Sequence, residues 1–94
     1  MTLDVGGQLI LKTSKALLCS VPGSLLERTF NGYHEHTIIG DKIFVDRDPT
    51  AFKHLVNFLR LQKNYVPLFE NKNEEELFVK ELKYWDIQVG LFGK

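Results

Sequence analysis

Hydrophobic and polar positions alternate at the start of the chain. Thr2-Leu3-Asp4-Val5 and Gln8-Leu9-Ile10-Leu11-Lys12 flank Gly6-Gly7. Paired glycines permit the positive φ of tight turns, so the spacing predicts a β-hairpin. A two-residue turn puts Leu3, Val5 and Ile10 on one face and leaves Leu9 and Leu11 on the other with Asp4. That split requires either a shifted register or cover on both faces. Thr13-Ser14 then caps a short helix over Lys15 to Ser20, which Pro22-Gly23 stops. Ser24 caps a second helix through Leu25, Leu26 and Phe30, ended by Asn31-Gly32. A further hairpin is predicted from His36-Thr37-Ile38-Ile39, Gly40-Asp41 and Lys42-Ile43-Phe44-Val45.

Two longer helices follow. Asp48 suits an N-cap and Pro49 the first helical position, opening a helix to about Gln62. Its Phe52, Leu55, Val56 and Leu59 recur at i, i+3, i+4, i+7, so one side faces a core. After a connector containing Pro67, Asn73 and Glu74-Glu75-Glu76 read as a capping box. Leu77, Phe78, Leu82 and Trp85 give this last helix one broad apolar side with Glu81 in its middle. Val79 lies nearly opposite. Strands followed by packed helices make a small α+β domain with a short sheet.

Composition narrows the function. At 94 residues, 44% of them hydrophobic, the chain reads as one domain with a core over about residues 2–88. Twelve basic residues balance twelve acidic ones, with no basic stripe for nucleic-acid phosphate. No apolar run approaches a membrane span and nothing at the start reads as a leader, so a cytoplasmic domain without direct membrane contact is expected. The lone Cys19 excludes an internal disulfide and a multi-thiolate metal site. Placed beside Leu17 and Leu18 with no histidine near in sequence, it reads as a small buried hydrophobe rather than a nucleophile. His34 and His36 supply two metal ligands at most, and His54 sits on the shoulder of its helix. Ser20 and Ser24 lack a G-x-S-x-G context, and Gly6-Gly7 lacks the other glycines of a phosphate loop. No catalytic residue, cofactor or metal site is expected, and the chain reads as a non-enzymatic binding module.

Glu81 is the residue that needs explanation. An unpaired buried carboxylate costs several kcal/mol, on the order of a whole domain's margin. It is therefore expected to pair with Arg47 or another cation, or to face a neighbouring chain, and a catalytic pocket is disfavoured because no second acid, metal ligand or nucleophile accompanies it. Leu61, Val66, Leu68, Phe69, Val79, Leu91 and Phe92 exceed what the helical core faces absorb, which points to a domain excised from a longer protein.

The order of these motifs resembles the BTB/POZ domains of the potassium-channel tetramerisation branch. Leu3-Asp4-Val5-Gly6-Gly7 is similar to the family's L-N-V-G-G opening. Leu17-Leu18, Pro22, Ser24-Leu25-Leu26 and Phe30-Asn31-Gly32 match its next stretch. Ile43 to Pro49 is similar to its F-I-D-R-D-P signature, Phe52 to Arg60 to its next helix, and Leu77 to Ile87 to its ending. Ser14 replaces a common basic residue, and the zinc-binding His/Cys pattern of some channel members is absent. The resemblance implies a BTB/POZ fold, a short mixed sheet with an N-terminal β-hairpin flanked by a cluster of helices. It also implies self-association, here expected as a closed ring of four or five chains. Asp4, Arg28, Asp46 and Arg47 are the expected interface contacts, with Asp48 as a structural cap and Glu81 as a satisfied buried acid. On this reading Arg47→Glu lowers the oligomer state and spares the fold. Two roles fit the family: a cytosolic adaptor that recruits a cullin-type ubiquitin ligase, and the cytoplasmic tetramerisation domain of a voltage-gated potassium channel. The missing zinc ligands lean toward the adaptor.

Overall fold

The computed structural model describes residues 1–32, 42–61 and 68–87. Strand β1 (Thr2–Val5) pairs antiparallel with β2 (Leu9–Lys12), and Leu3 faces Leu11 while Val5 faces Leu9. The connection is three residues long, Gly6-Gly7-Gln8, with both glycines at positive φ and the Gln8 N–H donating to the Val5 carbonyl at 3.2 Å. That one extra residue overturns the two-residue register. It turns Leu9 and Leu11 to the core side with Leu3 and Val5, and sends Ile10 outward beside Asp4.

Helix α1 (Lys15–Leu18) is shorter than the spacing suggested, with the Ser14 hydroxyl accepting from Leu17 N–H at 3.0 Å. In α2 (Leu25–Phe30) Ser24 accepts from Glu27 N–H at 3.0 Å, and Glu27 reaches back to accept from Gly23 N–H at 2.8 Å. These helices form the crossover to β3 (Lys42–Val45), which lies parallel to β1 and gives the order β2-β1-β3. The sheet is therefore mixed. The partner strand expected over residues 36–39 lies outside the described residues, as do His34 and His36.

Helix α3 (Pro49–Arg60) begins at Pro49, with the Asp48 carboxylate accepting from Ala51 N–H at 2.9 Å. Helix α4 (Lys72–Tyr84) is capped by Asn71, not Asn73; its side chain accepts from Glu74 N–H at 2.8 Å. Glu74 then binds His54 Nε2 at 2.6 Å, tying the start of α4 to the middle of α3. Leu77 is exposed, another departure. The buried stripe is Phe78, Glu81, Leu82 and Trp85, at i, i+3, i+4, i+7, and Leu77 falls at its margin. Leu3, Val5, Ile43 and Val45 of the sheet meet Leu26, Phe30, Phe52, Leu55, Phe78, Leu82 and Trp85 in one core.

The hairpin turn is clamped to the segment that starts α3. Gly6 N–H donates to Val45 O at 2.8 Å, and a Cβ on Gly6 would lie 2.8 Å from the Arg47 carbonyl oxygen. Gly7 has the same sign of φ but open space around it. Gly7→Ala should cost about 1 kcal/mol of backbone strain, and Gly6→Ala about 2–3 kcal/mol, because the backbone of residue 47 must also move. Urea unfolding followed by the fluorescence of Trp85, the single tryptophan, measures both. Equal costs would show that the clamp does not matter.

Candidate functional site

Chemistry is poorly supplied. Among the described residues no three His, Cys, Asp or Glu side chains converge as a metal site. Cys19 is half-buried, its Sγ 3.8 Å from the Glu27 carbonyl oxygen, and burial pushes its thiol pKa up, away from the reactive thiolate. Ser24 is buried with its hydroxyl donating to Val21 O at 2.8 Å. His54 is held by Glu74, with Phe69 and Phe78 edge-on to its ring. A nucleophile aligned with a base does not occur in these groups.

The strongest polar constellation joins the end of β3 to α4. Arg47 donates twice to the Glu81 carboxylate, from Nε at 3.1 Å and Nη2 at 2.7 Å. Trp85 Nε1, one turn further along α4, donates to the same carboxylate at 2.8 Å. The Glu81 side chain is 3% exposed and Arg47 28%. The guanidinium also lies 3.7 Å over the Tyr84 ring. Glu81's hydrogen bond holds Arg47 protonated, raising its pKa further above the usual guanidinium range. A bidentate pair with a third donor satisfies a carboxylate that would otherwise be costly inside a core.

Of the residues singled out in the sequence, Arg47 and Glu81 meet. Asp46 is exposed beside Arg47, and Asp48 sits at the start of α3. Arg28 is exposed on α2 and donates from Nη1 to the Gly23 carbonyl at 2.7 Å. Asp4 stands in the middle of the outer sheet face, opposite Ile10 on one side and Phe44 on the other. Its Oδ1 is shut off from solvent with no hydrogen-bond partner among the described residues.

Two surface apolar side chains were missed in the sequence. Ile10 is 51% and Phe44 60% exposed, and they flank Asp4 in one row across the three strands. Phe44 was legible as the outward residue between inward Ile43 and Val45. Trp85 as a partner for Glu81 was also legible, four residues on along one helix. Phe44 and Tyr84 border a cavity of about 200 Å³, below the size of an ordinary ligand pocket, so the region suits a protein surface better than a small molecule. No helix among the described residues is long and apolar enough to cross a membrane.

Comparison with known proteins agrees with this architecture. Over 68 residues the chain is 38% identical to a potassium channel regulatory protein of Bos taurus. That match covers 71% of this chain and 25% of the bovine protein, so the chain corresponds to about a quarter of that relative's length. The BTB/POZ domain family matches residues 1–92. A mixed sheet opened by a hairpin, the Asp46-Arg47-Asp48-Pro49 turn into α3 and this near-complete match leave one assignment: the chain belongs to the BTB/POZ family, in its potassium-channel tetramerisation branch, and is a module for protein interaction and oligomerisation.

Proposed function

We propose that this domain carries no catalysis and assembles copies of itself head to tail into a closed ring of four or five chains. The observation that carries the reading is the outer sheet face, where two large exposed apolar side chains flank an incompletely bonded aspartate. A solvated surface has no use for that arrangement, whereas a polar interface with apolar anchors does. Asp4, Arg28 and Asp46 are exposed or half-exposed charges available for contacts. Arg47 contributes through its exposed rim while its guanidinium stays on Glu81.

Within a longer protein, the ring would gather several copies of a neighbouring domain. Our preferred reading is a cytoplasmic adaptor that brings bound proteins to a cullin-type ubiquitin ligase scaffold. The second reading is an assembly domain acting on, or within, a potassium channel. The name of the bovine relative favours it.

Light scattering on the purified domain tests self-association. The expected mass is four or five times 10.9 kDa. A mass of 10.9 kDa at every concentration up to the millimolar range would end this proposal. Co-elution with a purified cullin scaffold then separates the two roles. A complex supports the adaptor, and its absence at micromolar concentrations removes it.

A further inference from the structure

Within this self-association reading, two surfaces of the chain match each other closely enough to name the contact. The first is the row Ile10–Asp4–Phe44 on the outer sheet face. Neighbouring strands lie about 4.8 Å apart, so the row runs apolar, anionic, aromatic over about 10 Å. The second is the outward stripe of α4, where Leu77, Lys80 and Tyr84 are all exposed. Spaced i, i+3, i+7, they lie within about 60° of one another around the helix. At a rise of about 1.5 Å per residue they run apolar, cationic, aromatic over about 10 Å. Lys80 makes no ion pair among the described residues, and neither does Asp4.

We infer that the outer sheet face of one copy receives the α4 stripe of the next, with Lys80 of the arriving helix on Asp4, and Leu77 and Tyr84 against Ile10 and Phe44. The helix lies across the strands, along the row. Lys80 reaches the open side of a carboxylate whose other oxygen is already shut off from water. A cation there compensates solvation that the fold has removed. The apolar pairs on either side exclude water from the ion pair, which strengthens it. The two halves are different surfaces, so each copy keeps one of each free, and the contact propagates until a ring closes. Tyr84 is already fixed from behind by Arg47 and by the edge-on ring of Trp85, so little side-chain freedom is lost on contact.

Charge exchange tests it. Asp4→Lys and Lys80→Glu should each weaken association by about tenfold or more, since each sets like charges against one another. The double variant Asp4→Lys/Lys80→Glu should regain the wild-type mass. An equimolar mixture of the two single variants should associate again, because every contact between unlike copies pairs opposite charges. Alternating copies complete a ring of four, whereas in a ring of five one contact joins like copies, so there the mixture recovers association rather than the full wild-type mass. Circular dichroism melts establish that each variant is folded. Should either fail to fold, Asp4→Asn and Lys80→Gln in a double-mutant cycle give the coupling instead. A single variant that keeps the wild-type mass overturns the contact but leaves self-association standing. Loss of mass with Asp4→Lys alone, Lys80→Glu behaving as wild type, shows that the sheet face meets another surface and also overturns it. A wild-type domain that never associates removes both this contact and the reading it rests on.

Discussion

Arg47→Met should cost the fold about 3 kcal/mol, lowering the melting temperature by about 12–24 °C for a domain of this size. The substitution keeps an unbranched side chain of similar reach and removes the charge. It leaves Glu81, 3% exposed, with Trp85 Nε1 as its remaining hydrogen-bond donor among the described residues. Stripping one partner from a buried pair typically costs about 3–5 kcal/mol, because the stranded ion pays for desolvation without its counter-charge. The low end applies here, since Arg47 lies at the rim and its loss admits water to one edge of the carboxylate. Total stability for 94 residues is on the order of 5–14 kcal/mol, so this one pair decides a large share of it. Adding Glu81→Gln should recover most of the loss, to within about 1–2 kcal/mol of wild type. The amide has no charge to strand and still accepts from Trp85. Urea unfolding of the four members of the cycle measures the coupling. Strict additivity would mean that the two side chains do not act as a pair. The same geometry changes the expectation for Arg47→Glu. It would set a second carboxylate against Glu81, so any fall in oligomer mass would come with a damaged fold, and the substitution does not isolate an interface.

Local signals in the sequence are reliable where one residue type settles one backbone group. Asp48-Pro49 is such a case: a carboxylate for an orphan N–H, then a ring that needs no N–H, then a 3.6-residue stripe, and α3 begins there. The start of α4 is not. Asn71-x-x-Glu74 and Asn73-x-x-Glu76 offer the same box two residues apart, with equal propensity. What separates them is His54, seventeen residues before Asn71, which takes the Glu74 carboxylate. The faces of β2 were illegible for a similar reason. The composition of β2 is the same for a two- or a three-residue turn, and a single residue of loop exchanges every side chain between core and surface. Ile10 passes from predicted core to exposed anchor on that count alone. The oddity of Glu81 was plain from periodicity, and the need of a buried carboxylate for a cation pointed to Arg47, 34 residues away, where the pair forms; its two-point geometry is set by packing that no local rule reaches.

Trp85→Ala should be the most damaging single substitution, at about 3–5 kcal/mol. The side chain is buried and touches rings from three directions: Phe30 of α2 at 6.3 Å, Phe52 of α3 at 6.0 Å and Tyr84 at 4.9 Å between centroids. Its truncation removes the common wall of α2, α3 and the end of α4, and the backbone around it is already committed. The Trp85 carbonyl accepts from Leu25 N–H at 2.9 Å, and Asp86 turns the chain at positive φ directly after it. That framework resists collapse, so a cavity remains, and cavities that cannot collapse are the expensive ones. Trp85→Phe separates packing from hydrogen bonding. It keeps most of the aromatic volume and deletes only the donor to Glu81, which retains both bonds from Arg47. Its cost should be about 1–2 kcal/mol. Both variants lack tryptophan, so circular dichroism at 222 nm (the helical band) follows their unfolding. If Phe proved as harmful as Ala, the N–H bond rather than ring packing would hold this corner together. The Phe variant also bears on assembly: while it is folded, α4 still presents Lys80 and its neighbours, and its oligomer mass should equal that of the wild type.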